Sequence, residues 1–260
     1  MNRADAVLLS LTDAALNKRP PVDPELTTEQ WIALLRRAEA QKILPLILVF
    51  FTLAALANLA GQVWALELAR MSKPALLPLL ALATLAALPA ESKERNWLIT
   101  AQLFGWLGDV LLMKDALPWF GSGIAAFLTG HIFYMRFFGG RSWKGLSLKT
   151  WILSGIAMAA IVAVLIVVIG VKGALLAPMA IYACALMLLI FSTLCGVIRF
   201  GGKQWWLLLC GAVLFTFSDS LIAMHTFGVE NWELHGFAVM STYIAAQALL
   251  AAGGSALIRK

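Results

Sequence analysis

Hydrophobic residues fall in eight long runs separated by short polar links: Ile43–Ala60, Pro74–Ala90, Trp97–Met113, Trp119–Phe138, Trp151–Gly170, Gly173–Ile198, Trp205–Phe227 and His235–Ile258. Each is close to the roughly 20 residues that a helix needs to cross a hydrocarbon core about 30 Å thick. The pattern predicts an all-α fold, a polytopic membrane helix bundle of eight transmembrane helices occupying residues 43–260. Residues 1–42 are polar, with no visible secretory signal, so the first hydrophobic run is expected to direct insertion and remain in place. Pro20, Pro21 and Pro24 interrupt two short helical patterns in this segment. In the second, Thr27 or Thr28 can cap, Glu29 and Gln30 lie in the first turn, and Trp31, Leu34, Leu35 and Ala38 share a face. With Arg36, Arg37 and Lys42 on the remainder, residues 1–42 read as an amphipathic leader lying on an anionic cytoplasmic leaflet, or as a solvated leader that assists insertion.

Composition narrows the class. Of 260 residues, 61% are hydrophobic and 13% charged, and the mean hydropathy is +0.85, which excludes an ordinary soluble domain. The net charge of +6 is a matter of topology rather than of nucleic-acid binding. Alternating the eight runs across a bilayer puts sixteen Lys and Arg on the side of the amino terminus and four (Arg70, Lys73, Lys114, Lys172) on the other. That bias predicts that both termini are cytoplasmic. Together with the short links it fits a multi-pass protein of a bacterial inner membrane. Cys184, Cys195 and Cys210 all fall inside runs without metal-ligand spacing and read as packing residues.

Against this background two acids stand out. Asp109 lies in WLITAQLFGWLGDVLLM and Asp219 in WWLLLCGAVLFTFSDSLIAMHTF. An ionisable group costs several kcal/mol in hydrocarbon unless it faces protein or water, so an intramembrane acid points to a functional site. The two settings match: a small residue precedes each acid (Gly108, Ser218), and Val110-Leu111-Leu112 stands beside Ser220-Leu221-Ile222. The runs that carry them are four apart, which suggests two parallel four-helix halves. Counted from Trp97 and Trp205, the acids lie about 18 and 21 Å from the cytoplasmic end, level with each other in the outer half.

Other polar groups reach similar depth. His131 and Tyr134 are spaced i to i+3, and Tyr243 and Gln247 i to i+4, so each pair shares a helix face. Tyr182 lies at mid-depth in the sixth run, where tyrosine is less expected than at an interface. Asn58 near the outer end of the first run and Ser218 beside the second acid complete the candidate positioning set. Lys73 ends the link before Pro74, a proline expected at the start of its span. It would suit a phosphate-bearing ligand, or else snorkel to the interface. A pocket opening outward would collect these groups.

Four segments in this order carry a resemblance: KP at Lys73-Pro74, GWLGDVLLM at Gly105–Met113, GHIFYMRFF at Gly130–Phe138 and LFTFSDSLIA at Leu214–Ala223. Together they resemble the YhhN-type family of membrane proteins, which includes the animal lysoplasmalogenases. The resemblance implies eight membrane helices and hydrolysis of the vinyl-ether bond of lysoplasmalogens, releasing a fatty aldehyde and a glycerophospho-base. It also implies that Asp109 and Asp219 are the catalytic pair. The chemistry suits two such acids. An enol ether is cleaved when a proton reaches its β-carbon, giving an oxocarbenium ion that water captures as a hemiacetal. Two carboxyls in an apolar bundle favour one shared proton, which divides acid and base roles between them. Tyr182, Tyr243, Gln247, Tyr134 and His131 would position water or the glycerol hydroxyls, and Lys73 would meet the phosphate.

The expected partners are therefore a lysophospholipid substrate and the bilayer. No cofactor is implied, and one His with two Asp makes no dedicated metal motif. From the residues alone, two other readings stand. One is a small transporter or lipid flippase that uses the acids as proton or cation sites. The other is a structural membrane subunit in which the acids only hold helices together.

Overall fold

The computed structural model describes residues 28–89, 92–114, 116–229 and 232–259. Residues 1–27 lie outside the described residues, as do the side chains of Trp31, Leu34, Leu35 and Ala38, so the expected amphipathic face of the leader does too. Among the described residues eight α-helices follow one another: α1 Thr28–Trp64, α2 Leu66–Ala87, α3 Lys93–Leu111, α4 Leu117–Ser142, α5 Leu148–Ile169, α6 Leu176–Phe200, α7 Lys203–Thr226 and α8 His235–Ile258. A 3₁₀ turn, Gly173–Leu175, leads into α6. The described residues contain no strand.

Most helices follow the hydrophobic runs, and α8 has the expected limits. The second departs from expectation. It begins at Leu66, so Lys73 lies two turns inside a helix rather than in a link, and Pro74 is internal rather than at the start. Glu67, Arg70 and Lys73 make this stretch look polar in sequence. In the fold the first two form an exposed pair at 3.5 Å, while Lys73 turns inward, so the helix continues back to a tight corner where Gly61 packs directly on the backbone of Ala69. Pro74 has no N–H to give the ladder. Its carbonyl accepts from Trp106 Nε1 at 2.9 Å, which ties α2 to α3. At the other end of the described chain, α1 runs without a break through residue 42.

Among the described residues six helices can cross a membrane by length and apolar content: α1 from Lys42, α2, α5, α6 with its leading turn, α7 and α8. Helices α3 and α4 fall short of that measure. They carry Lys93, Glu94, Arg95 and Asp109 in one case and His131, Arg136 and Arg141 in the other. Both nonetheless pack into the bundle, with Leu98, Ala101, Phe137 and Phe138 in its core.

Consecutive helices pack on one another from α1 to α4 and again from α5 to α8, except that α5 touches the bundle mainly through α6. The halves meet where α4 packs on α6 and α2 on α8, two contacts that exchange when the halves are swapped; α8 also touches α1 and α3. Helix α5 buries only Val162 and Ile169. Leu165 and Ile166 pack beside Ile169 and Trp151 packs on Phe191, while most of its other apolar residues face outward, as a lipid-facing helix requires.

The helix ends sort into two faces. At one, Arg141 bonds to Leu257 O at 3.3 Å and pairs with Glu94 at 3.6 Å, while Arg259 reaches Ala87 O at 3.3 Å. At the opposite face, the end of α1 meets the start of α2 through Asn58, whose Nδ2 donates to Ala69 O at 2.8 Å. The ends of α3 and α7 and the starts of α4 and α8 share a cavity there.

Candidate active site

Small residues bring the site together. The segment GWLGD places Gly105 and Gly108 on one face of α3, three residues apart, with Asp109 next in line. A Cβ on Gly108 would lie 2.6 Å from the Phe127 ring of α4, and one on Gly105 would lie 2.9 Å from Leu77 Cδ1 and 3.5 Å from Gln247 Nε2 of α8. On α4, a Cβ at Gly130 would approach Ala101 O to 3.0 Å. Without those side chains α3 sits close enough to α2, α4 and α8 for Asp109 to be reached from both sides.

Both carboxylate oxygens of Asp109 are engaged. Lys73 Nζ of α2 lies 3.5 Å from Oδ1, with the two side chains 19% and 4% exposed. Tyr243 Oη of α8 donates to Oδ2 at 2.7 Å. Behind Tyr243 the bonds continue in one direction: Tyr134 Oη donates to Gln247 Oε1 at 3.0 Å, and Gln247 Nε2 donates to Tyr243 Oη at 3.4 Å. Every donor in this chain points toward Asp109, and the chain ends on a carboxylate facing an ammonium. Such charge-assisted bonds are the strong ones, and a buried charge needs them.

Asp219 has different company. Its Oδ2 accepts from Tyr182 Oη of α6. It lines a narrow apolar cleft of about 70 Å³, walled by residues such as Phe120, Ile124, Leu165, Met179 and Ile222. That is room for about five to seven water-sized groups, or a short piece of hydrocarbon chain. Asp109 and Asp219 lie sixteen residues after Lys93 and Lys203, the first residues of their helices. At 1.5 Å per residue both sit about 24 Å along, level with each other. Asp109 is near enough to act electrostatically on Asp219, and Lys73 acts on both.

An aromatic cluster joins the two. Phe215 stacks edge-on to Tyr243, with centroids 5.6 Å apart, and to His131 at 4.8 Å, while His131 lies edge-on to Tyr182 at 5.6 Å. His131 is fully buried. Its Nδ1 lies 2.6 Å from Phe127 O; a carbonyl can only accept, so Nδ1 is the donor. Nε2 is left as a buried atom without a protein partner.

Of the residues expected from sequence, Asp109, Asp219, Lys73, His131, Tyr134, Tyr182, Tyr243 and Gln247 converge here. Two others are used elsewhere. Asn58 bonds to Ala69 O and to Ser72 Oγ at 3.2 Å, joining α1 to α2. Ser218 Oγ donates to Val239 O at 3.0 Å, joining α7 to α8. Phe127 and Phe215 were not legible as site members, because an apolar aromatic in an apolar run carries no mark. Among the described residues no three His, Cys, Asp or Glu side chains converge as a metal would require.

Fold and site together define a multi-pass integral membrane protein of the helical class, with two acids held at one end of its bundle. The model of the YhhN family matches residues 68–254, and the chain belongs to that family. The match takes in every converging residue and leaves out Asn58. Similar proteins include mouse lysoplasmalogenase TMEM86B, 29% identical over 174 residues that make up 66% of this chain and 70% of the mouse protein. Human lysoplasmalogenase TMEM86B is 32% identical over 145 residues, which are 55% of this chain and 57% of the human one. No solved structure matches.

Proposed function

We propose that this protein is a membrane-embedded hydrolase that cleaves the vinyl-ether bond of lysoplasmalogen-type lysophospholipids to a fatty aldehyde and a glycerophospho-base. Membership of the YhhN family and similarity to proteins named lysoplasmalogenase support the reaction class. One observation carries the mechanism: two acids at one level have opposite surroundings. Asp109 faces an ammonium and accepts at both oxygens, so it is the carboxylate. Asp219 borders the apolar cleft with a single tyrosine donor, so it is the proton carrier.

The step then runs as follows. Asp219 gives its proton to the β-carbon of the alkenyl ether lying in the cleft, and the double-bond electrons form the new C–H bond. The resulting oxocarbenium ion is offset by the charge on Asp109. Water adds to the α-carbon and returns a proton to Asp219. The hemiacetal breaks its bond to the glycerol oxygen, leaving aldehyde and alcohol, so that one water is consumed and the acid is regenerated. Tyr182 orients Asp219. Tyr243, held by Gln247 and Tyr134, orients Asp109, and His131 Nε2 is the acceptor available to a water between them.

The same reading has all eight helices crossing the membrane, because the polar groups deep within α3 and α4, Gln102, Asp109, His131 and Tyr134, are buried against neighbours rather than presented to lipid. It puts both chain ends at the face that carries Arg95, Arg141, Lys203 and Arg259, which would be cytoplasmic, with residues 1–42 as a leader there and the site opening to the opposite side. A bacterial inner membrane suits it. Aldehyde release from purified protein given a 1-alkenyl lysophospholipid tests the function, with Asp109→Asn and Asp219→Asn alongside after a check of folding. Release that both substitutions abolish is the expected result. A folded wild type that releases no aldehyde, or an Asp219→Asn variant that still does, would overturn it; lipid movement without cleavage in sealed vesicles would point to transport instead.

A further inference from the structure

Beside the apolar cleft lies a second cavity of about 540 Å³ and different character. It opens at the face where α1, α3 and α7 end and α2, α4 and α8 begin. Among the described residues of its lining there are two lysines (Lys73, Lys114), two histidines (His225, His235) and no carboxylate. That side of the bundle is poor in basic residues: among the described residues only Arg70, Lys73, Lys114 and Lys172 fall there. Two of those four line one cavity. Arg70 is taken up by Glu67.

The lysines are held in place. Lys73 Nζ is fixed from behind by Asp109. Lys114 lies over the Trp119 ring, 3.7 Å from its centroid, at the rim. The imidazoles of His225 and His235 stack with centroids 4.3 Å apart, making a flat polar wall across the junction of α7 and α8. Leu112, Phe120 and Ile222 line this cavity and the apolar cleft alike, so the two share a wall of three side chains. A molecule occupying both would place a polar, anionic end against the lysines and a hydrocarbon chain beside Asp219.

We propose that this cavity is a subsite for the phosphodiester of a single-chain phospholipid, with Lys73 and Lys114 as its cationic contacts and the cleft as the place of its chain. The inference rests on the reading of the acids given above for what happens at the chain, but not for the binding of the phosphate. It assigns a role to Lys114, which touches neither acid. Lys73 meets both the phosphate and Asp109, so the head group and the acid pair share one cation.

The test uses the full-length protein in a phosphate-free neutral detergent and two uncleavable probes, 1-hexadecyl lysophosphocholine (a saturated ether) and 1-hexadecylglycerol, with inorganic phosphate as a third. Affinities are read by titration. The phosphate-bearing lipid should bind about 10-fold more tightly than the alkylglycerol, because it adds charge-assisted contacts. Lys114→Gln should weaken the lysophosphocholine by about 5-fold, less than a buried contact would give because Lys114 is exposed, and leave the alkylglycerol unchanged. Lys114→Arg should restore binding to within about 2-fold, since the charge returns. Equal binding of the two lipids, or a Lys114→Gln variant that keeps wild-type preference, would overturn the subsite. Inorganic phosphate binding as tightly as the lipid would overturn the lipid as its occupant. Aldehyde release from a 1-alkenyl lysophospholipid is scored separately. Phosphate-dependent binding without release leaves the subsite standing and removes the hydrolase, whereas release with a KM that Lys114→Gln does not raise removes the subsite and leaves the hydrolase.

Discussion

The Lys73–Asp109 pair offers the sharpest check on the packing, because removing one partner and removing both should have very different costs. Replacing Lys73 by Met keeps the volume of the stem and deletes the ammonium. Asp109, 4% exposed, then keeps only the Tyr243 bond for its charge. Breaking a buried pair typically costs 3–5 kcal/mol. The separation of 3.5 Å and the 19% exposure of Lys73 place this pair toward the low end, so about 2–3 kcal/mol is expected. For a chain of this size each kcal/mol moves the unfolding midpoint by about 2–4 °C, which makes the loss about 4–12 °C. Asp109→Asn should cost less, about 1 kcal/mol, because an unpaired lysine can turn toward the cavity. The double variant leaves no unpaired charge and should lie within about 1 kcal/mol of wild type, a coupling of about 2–4 kcal/mol. Thermal unfolding of the four proteins in one detergent reads this cycle. If the two single effects simply add, the ammonium and the carboxylate are not partners, and the assignment of Asp109 as the charged acid falls with them.

Further outcomes follow from the same geometry. Tyr243→Phe removes the 2.7 Å donor to Asp109; a hydrogen bond to a charged group is worth about 1.5–3 kcal/mol, so aldehyde release should fall by roughly 10- to 100-fold with the fold retained. Tyr134→Phe, two bonds further away on a neutral acceptor, should cost no more than about 5-fold in the same assay. Gly108→Ala would put a methyl 2.6 Å from the Phe127 ring and should destabilise by about 1–3 kcal/mol in thermal unfolding. Gly121→Ala, with nothing within 4 Å, should be neutral or stabilising by up to about 1 kcal/mol, as for any open helical glycine.

Much of the architecture could be read directly from residue order. A run of twenty apolar residues has few places to go except through a bilayer or a core, and helices are what such runs form there. Hence the eight helices, and the limits of α8, were legible. An acid inside such a run stands out for the same reason, which is why Asp109 and Asp219 were found without coordinates. Where local signals conflict, the reading fails. Pro74 is compatible with a helix start and with a kinked interior, and only the inward turn of Lys73 decided for the interior. The less apolar α3 and α4 show the converse: their sequences carry groups such as Gln102, Asp109, His131 and Tyr134 that bury against protein, and hydropathy by itself cannot tell a protein neighbour from water.

Pairing is what the linear chain could not contain. Tyr243 meets Asp109 across 134 positions, and Tyr134 meets Gln247 across 113. Both depend on the rotation and approach of whole helices, which Gly105, Gly108 and Gly130 permit by what they lack. Residue type told that Lys73, Asn58 and Ser218 were polar in apolar company, but not what each would meet. Tertiary packing sent Asn58 and Ser218 to backbone carbonyls and Lys73 to a carboxylate. By itself the sequence determined that two acids lie within the bundle and at what level, because helical rise converts position into depth. Which acid faces an ammonium and which faces an apolar cleft depended on the neighbours that packing supplied, and electrostatic character in a low dielectric is a property of those neighbours.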